Sequence, residues 1–263
     1  MPSLIPVDFM RRLLIGYVLA SAIMLNSACA AGDAACDMPT DLITSSDRLP
    51  HVAAALARNS LDILALGSGS TVGDAGGSSG PAFAFHAPEA SFPHRMVDAL
   101  QAMRPDVRFQ ITVRGGRNMT AETMLPILRQ ELADHHYELV LWQTGTVEAV
   151  HGMRPDTLRG VLQDGAEAVE KANADLVVVD PQFSRFLRAN VDLSPYETVL
   201  QQVTGGSGST LFRRFDLTQL WVTNGQVDLE RVSRDQRDRT IALLNTCLGQ
   251  ALARFVLEGA SEP

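Results

Sequence analysis

Lysine is nearly absent from this 263-residue sequence: Lys171 stands alone, and 22 Lys and Arg face 30 Asp and Glu, a formal net charge of −8. With no basic field to condense on a phosphate backbone, nucleic acid is excluded as a partner class. Cysteine is scarce as well. Three residues, with no Cys-x-x-Cys and no His-x-x-x-His, leave no zinc site of standard spacing. Histidine is missing from the C-terminal part, since His51, His86, His94, His135, His136 and His151 are the full set. No repeat, charge block or low-complexity linker divides the chain. What remains, 46% hydrophobic and 20% charged residues, is the composition of an ordinary folded chain long enough to bury a sizeable core.

The N-terminal residues read as an address. Arg11 and Arg12 precede an apolar run, 13–25, that is short for a membrane span and the right length for a signal-peptide core. Ala28 and Ala30 supply the small residues a leader peptidase inspects, so residues 1–30 are expected to be removed, leaving about 233 residues without a transmembrane segment. The chain is then exported, periplasmic or secreted. A lipoprotein modified at Cys29 is the less favoured alternative, because Leu25 lies one place too early. Cleavage would leave Cys36 and Cys247, an even pair in an oxidising compartment and hence an expected disulfide.

Beyond residue 47, short apolar runs alternate with amphipathic stretches, the pattern of a parallel sheet covered by helices. Strands are expected at 61–66, 107–113, 139–143, 176–180 and 211–215. Helices are expected at 93–103, 120–133, 155–173, 195–203 and 233–257, several opening on Pro. The predicted fold is α/β: a three-layer α/β/α sandwich with a five-stranded parallel sheet over 61–263, preceded by an arm and helix at 31–60. In such sheets ligands collect at the carboxyl ends of the strands. The first strand opens there into Gly67-Ser-Gly-Ser-Thr-Val-Gly73. A phosphate cradle is rejected because no Gly-Lys-Ser/Thr follows and the glycine spacing is not that of a dinucleotide fingerprint, so no cofactor is expected. A strand-to-turn nucleophile elbow is the remaining reading.

On these residues the chain resembles the SGNH/GDSL hydrolase family. Its first block is an apolar strand followed by Gly-Asp-Ser-Leu-Thr-x-Gly, matched through Gly67, Thr71 and Gly73. Residues 139–149, Leu-Val-Leu-Trp-Gln-Thr-Gly-Thr-Val-Glu-Ala, are similar to its third block, and Arg114-Gly-Gly-Arg-Asn-Met-Thr-Ala121 stands where the second belongs. The resemblance implies a flavodoxin-like sandwich whose cleft is lined by Gly67, Gly69, Thr71, Gly116, Asn118, Gly145 and Val147. It also places Gly69 at the nucleophile's position and Val147 at that of the oxyanion-hole asparagine. The block-two glycine is either Gly116 or Asn118. The final Asp-x-x-His is replaced within Ser233-Arg-Asp-Gln-Arg-Asp-Arg239. Glycine has no oxygen to attack with, and valine has no N–H to offer an oxyanion.

Two functions follow. The first is an exported, catalytically degenerate relative that binds an acylated or carbohydrate ligand or assists an envelope polysaccharide or lipid pathway. The second is an active serine esterase or deacetylase with Ser68 or Ser70 attacking, His151 as base and Glu148 orienting it. Either takes a small-molecule or glycan ester as ligand, with room for a protein partner at the arginine cluster 231–239 and no metal. Trp142 and Trp221 read as packing anchors, and Asp180, before Pro181, as a turn former. Arg213 and Arg214 read as strand residues with one side toward solvent or an anion.

Overall fold

Runs rich in Val, Leu and Ile form the five parallel strands β1 (Ser60–Gly67), β2 (Arg108–Gly115), β3 (Leu139–Gln143), β4 (Asp175–Val179) and β5 (Ser209–Phe212), ordered β2-β1-β3-β4-β5. The structure, a computed structural model, describes residues 36–73, 88–205 and 209–261. The signal-peptide and cleavage readings, Cys29 and His86 lie outside these residues. Ile63 of β1 pairs with Ile111 of β2 on one side and Leu139 of β3 on the other, so β1 is an interior strand, second of the five.

Period-two alternation divides the core. Leu61, Ile63 and Ala65 of β1, Leu139 and Leu141 of β3, and Val177 and Val179 of β4 face one layer, whereas Leu64, Leu66, Val140, Trp142, Leu176 and Val178 face the other. The helices are α1 (Thr40–Ile43), α2 (Pro50–Ala57), α3 (Phe92–Met103), α4 (Ala121–Asp134), α5 (Thr146–Val150), α6 (Pro155–Lys171), α7 (Arg185–Asn190), α8 (Ser194–Thr204), α9 (Arg214–Thr223) and α10 (Arg237–Gly259). α2, α3, α9 and α10 cover the first face, and α4, α6 and α8 cover the second. This is the expected three-layer sandwich.

Two helical glycines let neighbouring elements pack closely. A Cβ on Gly165 of α6 would lie 2.1 Å from Trp142 Cζ3, and one on Gly249 of α10 would lie 2.5 Å from the Arg95 carbonyl carbon of α3. Trp142 and Trp221, each fully buried, are packing anchors as expected. α10 is the one described helix long and apolar enough to cross a membrane, but 61% of its apolar window is buried against the rest of the protein, as befits a core helix.

The fifth strand departs from expectation. It ends at Phe212, and the residues expected to prolong it, Arg213 to Phe215, begin α9 instead. Two contacts set the change. Arg213 pairs with Asp216 three residues on, at 2.6 Å, and Asp180 at the end of β4 accepts the Phe215 N–H at 2.8 Å, satisfying a donor in the first turn of the new helix.

Cys36 and Cys247 form the expected disulfide, with Cα atoms 5.8 Å apart, and tie the N-terminal arm to α10. Beside it, Trp221 Nε1 donates to the Asp37 carbonyl at 2.6 Å.

At the opposite end of the sheet from the β1 turn, Asp175 opens β4, and its buried carboxylate accepts the Val52 N–H in the first turn of α2 at 2.8 Å. The helix end favours the ionised form, but burial outweighs it and raises the pKa from 3.8 to about 6. A carboxyl that binds its proton more tightly folded than unfolded stabilises fully below about pH 4, and the contribution is lost as pH rises through about 6. The span corresponds to about 3 kcal/mol. Denaturant titrations from pH 4 to 8 should show Asp175→Asn losing less stability than the wild type over that window. Parallel pH profiles would contradict this.

Candidate functional site

The mouth of the sheet is built on glycines that let backbone and side chains crowd together. A Cβ on Gly67, the last residue of β1, would lie 2.0 Å from Thr71 Oγ1 and 2.9 Å from Gln143 Oε1. Gly115, at φ +123°, brings the end of β2 so close that its Cβ would overlap the Gly67 carbonyl oxygen, and the Gly116 N–H donates to that oxygen at 3.2 Å. The chain then turns tightly, with the N–H groups of Thr71 and Val72 both directed at the Ser68 carbonyl at 3.0 and 3.3 Å.

Gln143, the last residue of β3 and 3% exposed, organises this turn. Its Oε1 accepts from Thr71 Oγ1 at 2.9 Å, from Ser68 Oγ and Ser68 N at 3.2 Å each, and from Ser70 Oγ at 3.5 Å. Each hydroxyl of the turn thus points at an amide oxygen, which holds a hydrogen bond without taking the proton. Gly69, between the two serines, offers no hydroxyl.

The residues expected to rebuild a triad are not brought together. Glu148 is buried, and both its oxygens are engaged: Oε1 accepts from the Ala121 N–H and Thr144 Oγ1, and Oε2 accepts from the Gly145 N–H at 2.7 Å. It caps α4 and α5 rather than orienting an imidazole. His151 is exposed at the C-terminal cap of α5. Among the described residues it makes no hydrogen bond to Glu148, Ser68 or Ser70. Val147 lies half-buried in α5 behind Gly145, whose φ of +99° seats it 3.0 Å, as a built Cβ, from Pro181. Of the two block-two candidates, Gly116 spends its N–H on Gly67, and Asn118 is exposed in a left-handed turn at φ +62°. His94, in the first turn of α3, is paired through Nδ1 with Ser91 Oγ at 3.0 Å.

One participant was placed in the wrong element by sequence reasoning. Arg214, the first residue of α9, is 2% exposed and the only buried arginine among the described residues. Its Nη2 donates to Ser70 Oγ at 3.3 Å and to Gln182 Oε1, and its guanidinium lies 5.2 Å from the centroid of the Phe92 ring. The group therefore spans the mouth from the end of β5 to the turn after β1. Burial lowers its pKa to about 10, which leaves it charged at neutral pH, while burial pushes the nearby Asp180 carboxyl well up. The break in apolar character at Arg213 and Arg214 was the available signal.

A model of the non-GDSL lipase-like family matches residues 35–262 of this chain. No curated protein matches significantly. Among solved structures, an acetylxylan esterase from Geobacillus stearothermophilus superposes with a TM-score of 0.55 at 15% identity, covering 76% of this chain and 94% of its own. An α/β hydrolase from the metagenome of Lake Arreo, Spain, gives 0.53 at 13% identity, covering 72% and 96%. A two-domain esterase active on acetylated mannans gives 0.57 at 13%, covering 84% of this chain and 58% of that one. At these identities the likenesses establish the fold.

Proposed function

Because this chain belongs to the non-GDSL lipase-like family and has the fold of SGNH/GDSL-type esterases, we propose that it is an exported relative that has kept the cleft and lost hydrolysis. It binds an acylated or carbohydrate ligand, in the service of an envelope polysaccharide or lipid pathway, and releases it unchanged. Acyl hydrolysis needs a nucleophile, a group that takes its proton and donors aimed at the oxyanion. The observation that carries this reading is the turn itself: the hydroxyls on either side of Gly69, the residue that the family resemblance aligns with the nucleophile, are all held on Gln143 Oε1. Support for the ligand class comes from the neighbours named for acetylated xylan and mannan. Support for export comes from the disulfide, which persists in oxidising compartments.

Acetylated xylo- and manno-oligosaccharides test the proposal. Calorimetry should show binding, while assays for free acetate should find no release above the buffer control. Gly69→Ser alone should remain equally silent, because a restored hydroxyl still has no proton acceptor. Acetate release by the wild type, lost on Ser68→Ala or Ser70→Ala, would establish a relocated nucleophile and overturn the proposal.

A further inference from the structure

A guanidinium buried in a protein is normally matched by a carboxylate, because an unpaired buried charge is strongly destabilising. Arg214 is buried and makes no ion pair among the described residues, in a chain with 30 acidic side chains. Its hydrogen-bond partners are two neutral acceptors, Gln182 Oε1 and Ser70 Oγ, both on Nη2. Nε is fully buried with no partner, and Nη1 makes no hydrogen bond to a described residue. Three of its five N–H donors therefore have no partner among the described residues. Asp180, whose charge acts on Arg214 through space, is committed to the Phe215 N–H and favours its neutral form because it is buried, which weakens it as a counter-ion.

The position of this cation is as informative as the lack of an ion pair to any described residue. Ser70 belongs to the turn after β1, Gln182 follows β4, and Phe92 opens α3, so the guanidinium is held from three sides at the carboxyl ends of the strands. Ser70 links it directly to the Gln143 cluster.

We propose that Arg214 anchors a carboxylate of the bound ligand, so that this cleft selects an acid over the corresponding ester. The inference rests on the binding role proposed above and names the chemistry of its ligand. A carboxylate supplies both the missing charge and acceptors for those three donors, which a neutral acyl ester does not. Two sources carry that group: a free acyl chain and a uronic acid sugar.

Ligand-detected NMR titration of the purified protein compares acetate and butyrate with their methyl esters, and glucuronate with its methyl ester and with glucose. The wild type should bind at least one of the acids about tenfold or more tightly than its ester. Whether butyrate or glucuronate is preferred identifies the source. In Arg214→Gln the preference should vanish. Because that variant removes three contacts and is at risk of misfolding, the Arg214 Nε–H resonance of the wild type, assigned with Arg214→Lys, provides an independent readout and should shift on adding the acid. Acids and esters binding within about twofold of each other, or a preference that persists in Arg214→Gln, would overturn the inference. So would an unmoved Nε–H signal at saturation. If neutral acetylated oligosaccharides bind and the acids do not, only the carboxylate assignment falls; if neither binds, the cleft reading falls with it.

Discussion

Replacing Cys36 and Cys247 together with alanine should lower the thermal unfolding midpoint by about 10–20 °C. The bridge joins residues 211 positions apart, and closing a loop of that length removes chain entropy from the unfolded state equivalent to about 5 kcal/mol. In a domain of this size each kcal/mol moves the midpoint by about 2–4 °C. The folded arm should persist in the variant, because other contacts hold it. Trp221 Nε1 reaches the Asp37 carbonyl, Ser45 N reaches Glu258, and the Leu49 N–H bonds the Gly259 carbonyl at 2.9 Å. The expected result is therefore a well-folded protein that melts early. Melting curves of the double-alanine variant superimposable on those of the oxidised wild type would show that the bridge contributes nothing.

Gln143→Leu should cost about 3 kcal/mol, or about 6–12 °C in midpoint, although the side chain is replaced by one of similar size. The loss comes from what Gln143 leaves behind. Thr71 Oγ1, Ser68 Oγ and Ser68 N lose an acceptor in a setting where Thr71 is 1% exposed, and each stranded donor costs about 1–3 kcal/mol in full burial, less where water reaches it. A double-mutant cycle separates hydrogen bonding from shape. Thr71→Val should destabilise the wild type by about 1 kcal/mol and should cost nothing, or stabilise, in the Gln143→Leu background. Additive effects would mean that the amide oxygen is not what holds this turn.

The sheet was legible in the sequence because its strands are buried on both faces and read as short apolar runs between turn formers, and because glycine gathers where β1 must turn. The disulfide was legible from cysteine parity. What escaped was set by contacts remote in the chain. α9 looks like a continuation of β5 through Phe212, and the residue that caps it, Asp180, lies 35 positions earlier. α5 and α7, of five and six residues, are too short to show a helical period. Glu148 and His151 are three apart in the sequence after β3 and suggest an acid-base pair. The partners that occupy Glu148, among them Ala121 from 27 residues upstream, cannot be read from that spacing. The same holds for Gln143, whose family-like motif position says nothing of the four donors it collects.

A fluorophosphonate probe applied to the oxidised wild-type protein, followed by peptide mass spectrometry, reads the chemistry of the mouth directly. Such probes phosphonylate a serine only where a neighbouring group takes its proton. The structure, with Ser68 and Ser70 held on an amide oxygen, calls for unmodified peptides covering residues 60–73 at every probe concentration that labels a control esterase. Stoichiometric phosphonylation of Ser68 or Ser70 would contradict it and identify a functioning hydrolase.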